Sequence, residues 1–451
     1  MTTKFRSTSP ALLTESIIEI FRDGEWVPAV SVQILGPERC RLDYLTSYAF
    51  SQNPIPVSLT MPLAWNPDPV VTGIEVDPQF DRRPPSFIYD LVPQGQGRRF
   101  LAKELRLADA DHVVLPLVTA GAFNPIGALR LSTAVAFYQE QARRNPPSQE
   151  FEGVTLDDIR QRSDEFLDHI ALHAMLASGT TGVQGVAPKY LLAQDASERW
   201  YADLSLPDAQ ARTHWLVKMP RGSSTADQSV LRNEAAYLRV AAACGLRTNQ
   251  PPMLVGNMLF LRRFDREVEV NSAGVSSVRR LHQESLASLA GLRGFAPATS
   301  QNELLAALRL HATDPQAETL EFIKRDILNL ALRNTDNHAR NTAVQRTAMG
   351  RIQLTPLFDF APMFMDPEIV PRSLHWRDQD QVRINQWRQV MAQLAMPDDE
   401  RKNMAVELLK FAEVVGCLPD MALDCGVDPG VLAQCRYAID EQAGQLTRLM
   451  G

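Results

Sequence analysis

Asn334-Thr335-Asp336-Asn337-His338-Ala339-Arg340-Asn341 is followed by Pro356-Leu357-Phe358-Asp359-Phe360. An Asp stands five residues before an Asn, and a second Asp lies beyond a short loop. That order suits moving a phosphoryl group. One carboxylate orients an attacking hydroxyl, while the amide and the second carboxylate hold the metal that accompanies nucleotide phosphates. The bare spacing arises often by chance, so its upstream partners decide its weight.

Upstream lies the loop Ser178-Gly179-Thr180-Thr181-Gly182-Val183-Gln184-Gly185-Val186-Ala187-Pro188-Lys189. Its regularly spaced glycines, with Gly182, Gln184 and Gly185 at the centre, let backbone amides approach anionic oxygens. An ordinary flexible hairpin is the plainer alternative. Lys218 ends the apolar strand His214–Met219 and shares a face with His214 and Leu216. Burying it unpaired is costly. Paired with phosphates and with Glu234, at the expected start of the next helix, it becomes a tether. The alternative is a strand-end Lys that snorkels to water.

Asp336 follows a helix and belongs on a loop, where it reaches a ligand or merely caps a turn. Asp359 sits between Phe358 and Phe360 and requires a cation or several donors to stay charged. Mg²⁺ fits, since it takes one or two carboxylates plus phosphate oxygens; a buried ion pair is the structural alternative. His338 is read as positioning the loop, because Asp336 already suits the base role. Each feature is weak alone. Glycine loop, strand Lys, helix Glu, Asp-x-x-x-x-Asn and a later Asp together follow kinase order.

The surrounding pattern agrees. The expected fold is α+β, a two-lobed protein-kinase-like fold with an additional N-terminal mixed α/β module. Residues 1–145 form that module, 146–282 a sheet region with the glycine-rich loop, and 283–451 a helical lobe with the catalytic and metal-binding loops. Ile17–Phe21 and Trp26–Pro28 read as strands joined through Asp23-Gly24. Asn233–Ala243 reads as a helix stopped at Gly245. Glu303–His311, Glu318–Arg333, 399–416 and 429–449 read as helices. The last is expected to pack through Val431, Leu432, Tyr437, Ile439, Leu446 and Leu449.

The 451 residues allow two or three packed units, with 45% hydrophobic and 22% charged residues. A net charge of -7 argues against holding nucleic acid by bulk electrostatics. The five cysteines form no C-x-x-C pair and are expected to be buried free thiols. No apolar run has signal-peptide or membrane-spanning length, so the expected setting is cytoplasmic, away from membranes.

At these motifs the chain resembles the HipA family of serine/threonine kinases, the toxin half of bacterial HipBA-type toxin–antitoxin systems. Ser58-Leu59-Thr60-Met61-Pro62-Leu63 and Phe87-Ile88-Tyr89-Asp90-Leu91-Val92-Pro93 resemble its N-terminal module. Gly185–Lys189 resembles a loop ending G-x-Q-x-K, and Arg280-Leu281-His282-Gln283-Glu284 a signature after the hinge. Thr335–Asn341 is similar to T-D-x-H-x-K-N, and Pro356–Asp359 to P-L-Y-D.

The resemblance implies that Lys218 contacts ATP phosphates, that Asp336 is the catalytic base, and that Asn341 and Asp359 bind Mg²⁺. It places adenine against the backbone of Arg262, Arg263 and Phe264, with Gln283 and Glu284 in support. It also implies a protein substrate, such as an aminoacyl-tRNA synthetase, and growth arrest. The expected partner is a helix-turn-helix HipB-like antitoxin, with DNA reached only through it. Three positions depart from the family. Arg262 replaces a hinge Glu, Ala187 replaces the loop Gln, and Gly182 occupies the usual regulatory serine position. The alternative reading is a weakly catalytic subunit that acts mainly as an antitoxin-binding corepressor.

Overall fold

Asp23 and Gly24 both take positive φ, 52° and 86°. Two such residues form the tight turn whose twist matches a β-hairpin, so β1 (Glu15–Arg22) folds directly onto β2 (Glu25–Gly36). β2 runs through Pro28 because the register shifts between Ile18 and Glu19 opposite it. β3 (Arg39–Tyr44) and β4 (Leu129–Leu131) complete a sheet ordered β3-β2-β1-β4. Ile18, Ile20, Val30 and Val32 bury one face. The computed structural model describes residues 14–63, 83–107, 113–144, 151–163, 166, 189–220, 222, 224–294 and 297–449. Gly182, Gln184 and Gly185 lie outside the described residues.

A second antiparallel sheet is ordered β6-β5-β7-β9-β8. Its strands are β5 (Lys189–Gln194), β6 (Trp200–Ala202), β7 (Thr213–Lys218), β8 (Met253–Val255) and β9 (Met258–Arg262). The pairing sets Lys189 directly across from Lys218. The helix between β7 and β8 spans Thr225–Ala243, not Asn233–Ala243. Glu234 therefore sits mid-helix rather than at its start. The Ser224 side chain accepts from Asp227 N and caps the true beginning. The first turns are polar and half-exposed, so they lack the apolar period that marks a helix. Gly245, at φ +77°, ends it as expected.

β10 (Arg266–Val270) and β11 (Ser276–Arg280) form a hairpin. β12 (Gln283–Ser285) then pairs with β13 (Ala343–Arg346), and β13 with β14 (Ile352–Leu354). This small sheet flanks the loop carrying Asp336 and Asn341. Helices Gln301–His311, Pro315–Ala331, Asp398–Gly416 and Pro429–Thr447 form the remaining lobe. Its core also takes in Ala236, Tyr237 and Val240 of the Thr225–Ala243 helix, which ties the sheet lobe to the helical one. The last helix buries Val431, Leu432, Ile439 and Leu446, whereas Tyr437 is 80% exposed. All five cysteines are free; Cys40, Cys244 and Cys435 are buried, but Cys417 is exposed because its helix end faces solvent. Among the described residues, no helix is long and apolar enough to cross a membrane.

Buried charge joins the N-terminal module to the second sheet. The Arg263 guanidinium bonds Asp203 Oδ2 and Asp265 Oδ2, each at 2.7 Å, and both carboxylates are at most 3% exposed. Arg266 reaches the Gly127 carbonyl at 2.9 Å, and Asp265 Oδ2 accepts from Gly127 N at 2.8 Å. Asn124 Nδ2 donates to Asp203 at 2.7 Å. Burial alone would raise the Asp265 pKa, but Arg263 and Arg266 outweigh it and hold it at about 2. Removing one partner from such a network strands buried charge. Arg263→Met is therefore expected to lose about 3–5 kcal/mol of unfolding stability, read from the urea midpoint and slope.

Candidate active site

Three structural elements bring charge to one place. β7 ends in Lys218, the middle of the Thr225–Ala243 helix carries Glu234, and the turn after β14 carries Asp359. Lys218 Nζ donates to Glu234 Oε1 at 2.5 Å and to Asp359 Oδ1. Across the strand pair, Lys189 Nζ lies 4.0 Å from Asp359 Oδ2. Asp359 adopts φ 51°, an uncommon conformation for a non-glycine residue, which the surrounding contacts sustain. Burial would raise its pKa, yet Lys189 and Lys218 hold it down at about 2. Burial also draws Lys189 down to about 8, with Asp359 opposing. Lys218 stays charged because Asp359 and Glu234 outweigh its burial.

The loop after helix Pro315–Ala331 places the other two groups. Asn341 Nδ2 donates to the Asp336 carbonyl at 2.8 Å, which closes the loop on itself. This leaves Asn341 Oδ1 buried and without a hydrogen-bond partner among the described residues, as is Asp359 Oδ2. Two bare, buried oxygens are the donor set that a hard divalent cation takes. Among the described residues there is no group of three or more His, Cys, Asp or Glu arranged to hold a metal. The Asp336 pKa rises to about 7, first through burial and then through the Asp359 charge.

His338 accepts from Arg340 N through Nδ1 at 3.2 Å, so its proton is assigned to Nε2, 3.7 Å from Asp336 Oδ1. Burial pulls its pKa down to about 4. It is a neutral, loop-shaping group.

Two cavities meet at Phe358 and Asp359. The larger, about 170 Å³, is lined by Leu216, Lys218, Leu238, Leu261 and Phe264 among others. The smaller, about 30 Å³, is lined by Asp336, Asn341, Asn334 and Asn329 among others. One side is thus apolar with a cation at its edge, and the other is polar with a carboxylate.

The hinge is partly committed to structure. Arg262 stacks on Trp215 at 4.7 Å, and its carbonyl accepts from Asn249 Nδ2 at 2.7 Å. Arg263 N donates to the His214 carbonyl, and its guanidinium is taken up by the buried network with Asp203 and Asp265. Phe264 packs 6.0 Å from Phe358. Gln283 and Glu284 also border the larger cavity. Glu284, however, spends its carboxylate on Ser58, Leu59 and Ser288.

A family described as the HipA-like C-terminal domain matches residues 181–415, more than half of the chain. The chain belongs to the HipA family. A chain of the Shewanella oneidensis MR-1 toxin–antitoxin complex of HipA, HipB and its operator DNA is similar in structure. It aligns with a TM-score of 0.64 and 17% identity over 96% of this chain and 99% of that one. The Helicobacter pylori proinflammatory kinase CtkA aligns with a TM-score of 0.32 and 13% identity over 52% of this chain and 89% of that one, too slight an overlap to support inference. No curated protein sequence matches. The fold is the α+β fold of that HipA chain, N-terminal module included.

In this HipA-family chain, Lys218, Glu234 and Asp359 touch, and Asp336 and Asn341 lie beside them around the second cavity. Sequence reasoning missed Lys189. Its signal was available: it closes the glycine-rich loop and opens a strand, but only the β5–β7 register sets it opposite Lys218.

These charges give two substitutions opposite signs. Asp359→Asn leaves two buried ammonium groups facing Glu234 and is expected to lower unfolding stability by about 2–4 kcal/mol. Asp336→Asn removes a carboxylate that is costly to ionise in the fold and is expected to add about 1–3 kcal/mol at pH 8. Asp336 is protonated in both folded and unfolded states at low pH, so the gain vanishes below about pH 3.8 and is complete above about 7. Urea titrations at pH 4 and pH 8 check both.

Proposed function

We propose that this HipA-family chain is an ATP- and Mg²⁺-dependent serine/threonine protein kinase, the toxin of a HipBA-type system. The observation that carries the reading is the convergence of Asp336 with two buried oxygens that accept no hydrogen bond among the described residues, Asn341 Oδ1 and Asp359 Oδ2, beside an apolar cavity edged by Lys218. Adenine occupies the larger cavity against the Arg262–Phe264 backbone. Lys218, held by Glu234, neutralises phosphate oxygens, and Lys189 adds a second positive charge. Asn341 and Asp359 are the residues that would hold Mg²⁺, which would supply charge neutralisation for the nucleotide phosphates.

Asp336 orients the acceptor hydroxyl and takes its proton as the oxygen bonds to the γ-phosphorus; the bond to the β–γ bridging oxygen breaks and ADP leaves. Catalysis is positioning and charge stabilisation rather than covalent chemistry by the protein.

The structural neighbour is a complex with HipB and operator DNA. By this likeness the partner here is a helix-turn-helix antitoxin, which carries any DNA contact. The acceptor is a serine or threonine on a protein of the translation machinery, such as an aminoacyl-tRNA synthetase. A purely corepressing subunit has no need of buried metal-ligand oxygens beside a cleft carboxylate, so the catalytic reading is preferred.

Asp336→Asn is expected to lose about 10³-fold or more in phosphoryl transfer while remaining at least as stable as the parent. Retained transfer to partner protein or to itself, read with γ-labelled ATP, would sink the assignment. Mg²⁺ with a non-hydrolysable ATP analogue is expected to raise the melting temperature of the parent protein through binding to the folded state. Asn341→Ala is expected to abolish the Mg²⁺-dependent part of that rise, measured by calorimetry with and without chelator.

A further inference from the structure

The strand β12 joins the sheet lobe to the helical lobe, and the N-terminal module holds it and the short helix after it, Leu286–Leu289, at three points. Ser58 Oγ and Leu59 N donate to the Glu284 carboxylate at 2.7 and 2.9 Å. Ser86 Oγ donates to the Ser288 carbonyl at 2.8 Å. Asp90 takes Ser285 twice, from its N–H at 2.8 Å and its hydroxyl at 2.7 Å.

The same Asp90 reaches further. Its Oδ1 receives Arg340 Nη1. Arg340 lies between Asp336 and Asn341 in sequence, immediately before the candidate metal ligand. Its side chain is only 1% exposed. The guanidinium points out of the catalytic loop: it also donates to the Gly294 carbonyl at 2.6 Å and lies 5.8 Å from the Tyr89 ring. Among the described residues, Asp90 is its one ion-pair partner. A buried guanidinium with a single carboxylate partner stays where that carboxylate is, because losing the partner costs several kcal/mol. The loop is then stitched back onto the short helix Leu286–Leu289 that follows β12: Leu286 N donates to Thr342 O, and Ala287 N to Ala339 O.

We propose that Asp90 is a positioning residue for phosphoryl transfer: the N-terminal module, through Asp90 and Arg340, fixes the loop that carries Asp336 and Asn341. The inference rests on the kinase reading. It makes the module a working part of the active site. Asp90, Ser285 and Arg340 also form part of the wall of the larger cavity, so a direct nucleotide contact is the competing role.

The experiment compares the full chain with Asp90→Asn, Arg340→Gln, Arg340→Lys and the Asp90→Asn/Arg340→Gln double variant. Three quantities are read: transfer rate at saturating Mg²⁺-ATP, nucleotide KM, and amide hydrogen exchange of residues 336–343 without nucleotide. Asp90→Asn is expected to slow transfer about 30-fold or more with KM changed less than about threefold. Exchange in the loop is expected to rise about tenfold. The double variant should be no worse than either single one, because the two act as one unit. Arg340→Lys keeps the charge facing Asp90 and should retain most of the activity, which covers the case in which Asp90→Asn folds poorly. Transfer and exchange both unchanged in Asp90→Asn and Arg340→Gln would overturn the proposal. So would a rise in KM with exchange unchanged, since that marks a substrate contact. If the parent transfers no phosphate at all, the kinase reading fails, and the exchange comparison alone still decides whether Asp90 holds the loop.

Discussion

Two ammonium groups, Lys189 and Lys218, face one carboxylate, Asp359, at the junction of the two cavities. The rest of the site follows from that pairing. A buried Lys requires a partner, and Asp359 serves both while Glu234 takes a share of Lys218. This fixes β5, β7, the long helix and the turn after β14 against one another. It also makes the field at Asp336 asymmetric. The negative Asp359 raises Asp336 towards neutrality, whereas the two lysines pull it back. On the proposed reading, a divalent cation held by Asn341 and Asp359 would offset that repulsion, which would link ionisation of Asp336 to metal binding through charge.

The parts legible in the sequence were those whose spacing along the chain is itself the chemistry. Asp336 and Asn341 are five residues apart, and their bond across the loop is local. Lys218 was legible because a charge ending an apolar strand needs a reason. Glu234 was chosen correctly as its neighbour, although the helix was begun too late: polar turns capped by Ser224 show no apolar period. What stayed hidden was non-local. Lys189 becomes part of the site only through strand register. Arg340 finds Asp90 across 250 residues. No periodicity reports such a pair.

Arg263 illustrates how burial redirects a residue. Its place beside the hinge suggested a role at the nucleotide, but a guanidinium 1% exposed between Asp203 and Asp265 belongs to the fold. The strand it follows still borders the cavity, so the same segment lines the cleft while its side chains hold the fold together. Glu284 shows the same division. It borders the cavity in position, while its oxygens accept from Ser58, Leu59 and Ser288.

These two residues explain why the N-terminal module attaches as it does. The module has its own apolar core, whose buried members all fall between Ile18 and Ala134. Apolar packing crosses its junctions at Leu59 and Leu204, but buried polar groups give them their directed contacts: Asn124 and Gly127 on the sheet side, Ser58, Ser86 and Asp90 on the helical side. Apolar contact is non-directional and tolerates sliding, whereas hydrogen bonds and ion pairs demand one geometry and are costly when broken. A module attached through such contacts at both lobes resists changes in the angle between them. Polar registration of this kind specifies one arrangement at each junction, and the loop Asp336–Asn341 is tied through Arg340 to a segment far away in sequence.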